Sequence, residues 1–169
     1  MTFLRTFSIA LALVAGFSAQ AANVEKVELE PLRHAAATLT VVDASGAQTV
    51  YTPADIEALG AYRMVTTTPW RSEETVFEGG LLQDLLKKHG LDATGAIRVV
   101  AENEFESIIE HSVWEAAPIL LATRVEGRPH SRRTRGPIQF VVSMDDYDGS
   151  PVIAERHLVW MAARIEPVQ

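Results

Sequence analysis

Turn-forming residues interrupt the chain so often that only short strands and short helices fit between them. Residues Leu39–Val42 predict a strand, which a turn at Ser45 and Gly46 connects to a second strand over Gln48–Tyr51. Similar segments predict strands over residues 62–68, 97–101, 118–125, 138–143 and 157–165. Because strands and helices do not alternate regularly, we predict an α+β fold with mixed β-sheets and a few short helices.

The first predicted helix has a strong start signal. Thr52 is a typical N-cap residue, and Pro53 suits the first helical position. Asp55 follows three residues after the cap, where its carboxylate completes a capping box. We expect this helix to end at Gly60.

The second predicted helix covers residues 81–89, where leucines recur on one side. Gly90 marks its C-terminal end. Gly79 and Gly80 come directly before this segment, and we predict that they open the helix and leave backbone N–H groups free for a ligand. An ordinary tight turn is the alternative interpretation of these two glycines.

The N-terminus has the pattern of a secretory signal peptide. Arg5 is the only charged residue before a nearly unbroken apolar run over residues 7–19, and Ala19-Gln20-Ala21 follows as a cleavage site. We predict cleavage after Ala21, a periplasmic or secreted protein with a single domain over residues 22–169, and no membrane insertion afterwards. An uncleaved N-terminal anchor is the alternative.

Composition excludes several kinds of chemistry. The net charge of −7 argues against nucleic acid and against anionic membrane surfaces as partners. The chain has no cysteine, so it has no disulfide, no thiolate nucleophile and no thiolate metal ligand. Its five histidines show no metal-binding spacing, and we predict no metal site and no catalytic residues from these patterns.

Three short motifs resemble a known family. They are Thr-Thr-Thr-Pro-Trp at residues 66–70, Phe-Glu-Gly-Gly-Leu-Leu at residues 77–82, and Arg-Gly-Pro at residues 135–137. Their order and spacing resemble the molybdopterin-binding domain of the sulfite-oxidase-like oxidoreductases, over about residues 38–166. The resemblance implies a fold like that of the sulfite-oxidase molybdopterin-binding domain.

One departure from the family changes the functional expectation. Catalytic members bind molybdenum through a cysteine thiolate, whose place falls near residues 68–70, and this chain has no cysteine. The chain looks more like small, exported, cysteine-free relatives, which implies a pterin ligand without molybdenum. It also implies a partner, the periplasmic part of a membrane signalling protein. A molybdenum-cofactor oxidoreductase with a non-cysteine metal environment and an interaction protein with an empty pocket stay open as alternatives.

A pterin is a flat heteroaromatic ring, so its site needs a stacking surface and a few hydrogen-bonding groups. Trp70 supplies such a surface if it faces a cavity, although most tryptophans belong to the core. Arg135 precedes a rigid Gly-Pro turn that the resemblance places at the pocket. The full set of predicted pterin-binding residues is Thr68, Trp70, Gly79, Gly80, Asn103, Phe105, Arg135, Gly136 and Pro137.

Six basic side chains lie close together in an otherwise acidic chain: Arg124, Arg128, His130, Arg132, Arg133 and Arg135. Guanidinium groups recognise anions through paired hydrogen bonds, so the cluster is compatible with recognition of a ligand or an acidic partner. We favour a solvated loop for the cluster as a whole and a site role for Arg135. An acidic segment, Asp145, Asp146 and Asp148, predicts a surface turn.

Overall fold

The computed structural model describes residues 23–34 and 36–168. The predicted signal peptide and the cleavage position after Ala21 lie outside these residues. In order, the described strands are β1 (Glu25–Lys26), β2 (Leu39–Val42), β3 (Gln48–Tyr51), β4 (Tyr62–Thr68), β5 (Arg71–Leu81), β6 (Ala96–Ala101), β7 (Glu106–Glu110), β8 (Leu120–Val125), β9 (Arg128–Pro129), β10 (Gln139–Val141) and β11 (Ala162–Pro167). The described α-helices are α1 (Pro53–Leu59), α2 (Leu82–Lys88), α3 (His111–Ala116) and α4 (Met144–Gly149), and two 3₁₀ turns cover Arg132–Thr134 and Glu155–His157.

The strands form two sheets. The first has the order β1-β4-β5-β8-β10, with β9 also paired to β8, and all its pairs are antiparallel. The second has the order β3-β2-β11-β6-β7, in which β11 runs parallel to β2 and antiparallel to β6. The fold is therefore α+β, with two sheets and a few short helices, as predicted.

The main hydrophobic core takes side chains from both sheets. Leu39 and Ile165 come from the second sheet, Leu121 and Phe140 from the first, and all four are completely buried. A smaller cluster packs on the opposite face of the first sheet, around Met64, Phe77, Leu120, Ala122 and Val141. Burial of these apolar side chains is the main stabilising contribution in a chain that has no disulfide.

Several local predictions are confirmed. The side chain of Thr52 accepts a hydrogen bond from the Asp55 N–H, and the Asp55 carboxylate accepts one from the Thr52 N–H at 2.8 Å. This capping box begins α1 where the sequence predicts it. The strands over Leu39–Val42, Gln48–Tyr51 and Tyr62–Thr68 also have the predicted bounds.

The prediction that Gly79 and Gly80 open a helix is wrong. Both lie inside the long strand β5, where Gly79 pairs with Ala122 and Gly80 pairs with Leu121 of β8. Their N–H groups therefore do not lie at the start of α2, which begins later, at Leu82. The sequence analysis missed β5 because its first half, Arg71-Ser72-Glu73-Glu74, is polar and largely exposed.

Three further segments differ from prediction. The predicted surface turn is the helix α4, which Ser143 caps by accepting a hydrogen bond from the Asp146 N–H. The strand predicted over residues 157–165 begins only at Ala162, and His157 belongs to a 3₁₀ turn. Strand β7 was not predicted, because apolar and polar residues do not alternate in it: Ser107 and Ile109 are buried, whereas Ile108 between them is exposed.

None of the helices within residues 23–34 and 36–168 has the length and apolar character needed to cross a membrane.

Candidate functional site

Two tryptophans from distant parts of the chain stack on each other. Trp70 lies in the tight turn between β4 and β5, and Trp160 lies in the segment that leads into β11. Their ring centroids are 5.6 Å apart and their planes differ by 23°. Trp70 packs against the main core, whereas Trp160 is 37% exposed. The sequence allowed Trp70 to be either a core residue or a site residue. In the structure it packs against the core and also lines an open cleft.

Arg135 lies against both rings of this pair. Its Cζ atom is 4.8 Å from the centroid of each ring, which is within cation–π distance. Backbone contacts hold it there, because its carbonyl accepts a hydrogen bond from the Met161 N–H at 3.2 Å, one residue after Trp160. The Arg135 backbone is left-handed, with a φ of 77°. Two of the predicted site residues, Trp70 and Arg135, thus lie in contact with each other.

An open cleft of about 370 Å³ extends from the tryptophan pair. Three predicted site residues line it: Trp70, Asn103 and Phe105. Sequence reasoning did not assign the others to the site, and they are Glu155, Arg156, Leu158 and Trp160. The cleft therefore combines three aromatic rings, one carboxylate, one guanidinium and one carboxamide.

The loop between β6 and β7 forms one wall of the cleft. The Asn103 side chain accepts a hydrogen bond from the Phe105 N–H at 3.3 Å, and Glu104 between them has a φ of 68°. The Glu102 N–H donates to the Met161 carbonyl at 2.8 Å. This bond ties the loop to the segment that carries Trp160, so two walls of the cleft are held in register.

A second, much smaller cavity contains polar groups. Its volume is about 20 Å³, which is room for about one water molecule. Two predicted site residues line it, Thr68 and Arg135. The other lining residues are Arg71, Phe77, Val125, His130, Thr134 and Gln139. Arg135 thus contacts both tryptophans and also lines this cavity, which is too small for a pterin.

His130 in this cavity is almost completely buried, with 2% of its surface exposed. Its Nε2 lies 2.8 Å from the Gln139 Oε1, and its Nδ1 lies 3.3 Å from the Thr134 hydroxyl. Burial lowers the pKa of His130, the hydrogen bond to Gln139 opposes this, and the positive charges of Arg71 and Arg135 lower the pKa further. The net effect favours the neutral imidazole of His130.

The remaining predicted site residues, Gly79, Gly80, Gly136 and Pro137, are packed against the protein backbone or lie outside the cleft. Gly79 leaves no room for a Cβ atom against the Leu121 backbone, and a Cβ on Gly80 would approach the Ile56 carbonyl to 2.8 Å. Gly136 is buried against the backbone of His130, and its N–H donates to the Ser131 carbonyl at 2.8 Å. Gly136 and Pro137 are joined by a cis peptide bond, and neither lines the cleft.

The interpretation of the basic cluster as a solvated loop is wrong for two of its members. Arg124 is buried in β8 and pairs with both carboxylate oxygens of Glu57, at 2.9 and 2.6 Å. Buried His130 lines the small cavity. Arg132 is about half exposed and pairs with Glu102, whereas Arg128 and Arg133 are exposed as expected. Sequence spacing gave no sign of the Glu57–Arg124 pair, because 67 positions separate its members.

Within the described part of the chain, no three His, Asp or Glu side chains come close enough together to hold a metal ion. No protein-family model matches the sequence, and no curated protein matches it significantly.

Proposed function

We propose that this chain is an exported, non-catalytic pterin-binding protein with a fold of the sulfite-oxidase molybdopterin-binding type. The observation that carries the proposal is the open cleft, where Trp70, Trp160 and Phe105 meet Asn103, Glu155 and Arg156. Its volume of about 370 Å³ lies in the range of small-molecule sites, about 300–1,000 Å³. The motif resemblance independently suggests the same ligand class.

The cleft suits the chemistry of a pterin. The ring presents two flat faces, and one edge carries an amino group, a ring N–H and a carbonyl. Because one side of Trp70 is covered by Trp160, the exposed faces of Trp160 and Phe105 are the surfaces that stack on the ring. Glu155 accepts hydrogen bonds from the amino and ring N–H groups, and Arg156 donates to the carbonyl.

The site fits the organic part of a molybdenum cofactor better than its metal. The chain has no cysteine, so no thiolate is available as a ligand for molybdenum. We therefore propose that pterin binding is retained without metal chemistry. The alternative is a molybdenum-cofactor oxidoreductase with a non-cysteine metal environment. About one molybdenum per chain, in protein from a host that makes the cofactor, would favour that alternative.

We propose that the pterin-bound protein contacts the periplasmic part of a membrane sensor. The predicted signal peptide, the absence of an assigned catalytic residue and the family resemblance support this role. A plain interaction protein with an empty cleft is the remaining alternative. Extraction of a fluorescent pterin from the purified protein would exclude that alternative.

Replacing Trp160 with alanine is expected to weaken pterin binding by about 1–3 kcal/mol, by analogy with the stacking of nucleobases on aromatic side chains. This corresponds to a roughly five- to 150-fold higher dissociation constant. Because Trp160 is 37% exposed but also stacks on Trp70, the melting temperature without ligand is expected to fall too, though by less than for a fully buried tryptophan. Calorimetry with a reduced pterin under anaerobic conditions measures the affinity.

The matched control is Val50→Ala, because Val50 is 58% exposed and does not line the cleft. Glu155→Gln provides a second variant, which retains the size of the side chain and removes the charge that the ring N–H groups require. Equal pterin affinity in the wild type, Trp160→Ala and Glu155→Gln would exclude this cleft as the binding site.

A further inference from the structure

The small cavity that Arg135 lines, next to its contacts with Trp70 and Trp160, has an unusual lining. Arg71, His130, Thr134, Arg135 and Gln139 all contribute polar groups, and no carboxylate lines the cavity. Two of these side chains carry a permanent positive charge. The lining of this cavity is therefore cationic, although the chain as a whole has a net charge of −7.

Neither arginine of the cavity has a carboxylate partner among the described residues, and the same holds for Arg33, Arg128, Arg133 and Arg156, which do not line the cavity. Within residues 23–34 and 36–168, Arg63, Arg98, Arg124, Arg132 and Arg164 each form an ion pair with a glutamate. In the same residues, neither Arg71 nor Arg135 forms one; Arg71 donates only to the Thr75 hydroxyl, at 3.2 Å. The positive charges beside the cavity are therefore not balanced by a carboxylate from the described chain.

A buried donor provides a second, independent observation. The Nε atom of Arg135 is buried and has no hydrogen-bond acceptor among the described residues. An unsatisfied buried donor costs about 1–3 kcal/mol, and more when it is charged, so it usually has a partner. The lowered pKa of His130 favours its neutral imidazole, which is hydrogen-bonded to Gln139 and Thr134, so the two arginines are the source of positive charge here.

We propose that this cavity binds one small anion of about the size of chloride, with Arg71 and Arg135 as the charged ligands. The volume of about 20 Å³ holds a single atom and is too small for a whole phosphate or sulfate. The anion balances both guanidinium groups and supplies an acceptor for the Arg135 Nε. It also fixes the guanidinium that lies 4.8 Å from Trp70 and Trp160.

The test measures thermal unfolding of the full mature protein without any pterin. Sodium chloride is compared with sodium gluconate and sodium sulfate at equal ionic strength, because gluconate and sulfate are too large for the cavity. At a chloride concentration of about ten times the dissociation constant, binding to the folded state is expected to raise the melting temperature by roughly 3–6 °C. The rise with chloride should saturate, whereas gluconate and sulfate, which are excluded from the protein surface, should raise the melting temperature only gradually and without saturation.

Two variants locate the effect. Arg71→Gln and Arg135→Gln should each lose the chloride-specific rise, whereas Arg128→Ala and Arg133→Ala, both exposed in the same basic cluster, should retain it. The absence of a saturable rise with chloride, or an unchanged chloride response in both glutamine variants, would overturn the proposal. Because no pterin is present, this failure would leave the proposed function of the cleft untouched.

A second measurement does not depend on the stability of the variants. Crystals of the wild type grown or soaked in bromide should show an anomalous peak in the cavity between Arg71 and Arg135. Bromide peaks confined to the protein surface would contradict the proposal.

Discussion

The Gly79→Ala variant is expected to fold poorly or to lose more than about 3 kcal/mol of stability, which is at the upper end of overpacking effects. A Cβ atom at this position would overlap the Leu121 carbonyl oxygen and lie 3.0 Å from the Thr123 backbone nitrogen. Both belong to β8, which pairs with β5 in the centre of the first sheet. The strand cannot move away without breaking that pairing. Urea unfolding followed by circular dichroism measures the loss.

The control for this variant is Gly95→Ala. An added Cβ at Gly95 would meet no atom within 4 Å, and its backbone does not require a glycine. We expect its stability to lie within about 0.5 kcal/mol of the wild type, as for most surface substitutions. If Gly79→Ala were as stable as Gly95→Ala, the close approach of β5 to β8 would be wrong.

The Glu57→Ala variant is expected to lose about 3–5 kcal/mol, because it leaves a buried guanidinium without its partner. The side chains of Glu57 and Arg124 are only 10% and 6% exposed. Glu57 also accepts a hydrogen bond from the Thr123 hydroxyl at 2.6 Å, and its Oε1 lies 3.0 Å from the Nε2 of His34. Alanine is a good helix former, so the loss reflects the removed contacts with Arg124, Thr123 and His34 and not a weaker helix.

The control is Glu115→Ala, which changes another helical glutamate. Its side chain is 75% exposed and lies 4.0 Å from His111, so its loss should cost less than about 1 kcal/mol. Chemical unfolding of the two variants, side by side, gives the comparison. Equal stability losses would mean that the buried pair contributes no more than a surface contact.

The same pair predicts a pH dependence. Burial raises the pKa of Glu57, but hydrogen bonds from Arg124 and Thr123 and the nearby charges outweigh burial, so the pKa lies below its usual value of 4.5. The folded state therefore holds the carboxylate charged more strongly than the unfolded state does. This stabilisation is complete above pH 4.5 and is lost as the pH falls through the lowered pKa. Glu57→Ala should show a flatter loss of stability in that acidic range.

Local signals in the sequence predicted local structure well. Thr52, Pro53 and Asp55 define the start of α1 within a few residues of each other, so neighbouring residues contain all the information. The β-branched residues of Tyr62–Thr68 likewise predict their strand. The helix start predicted at Gly79 and Gly80 was wrong because glycine is also found where two strands approach closely. That approach depends on β8, about 40 positions away.

The sequence singled out only three of the residues that line the cleft, namely Trp70, Asn103 and Phe105. Trp70 and Arg135 come from the family resemblance, and the structure brings them to within cation–π distance. Trp160, Glu155 and Arg156 have no local signal, because their position in the cleft follows from the parallel pairing of β11 with β2 and from backbone bonds at Met161. The exposure of Trp160, one of only three tryptophans, is a property of the folded chain.

Anaerobic calorimetry of the mature protein with a reduced pterin tests the central claim most directly. We predict saturable binding of one pterin per chain, with no molybdenum or other metal required, and with clearly weaker binding in Trp160→Ala than in Val50→Ala. No measurable heat of binding with any pterin, from protein that is folded by circular dichroism, would contradict the account.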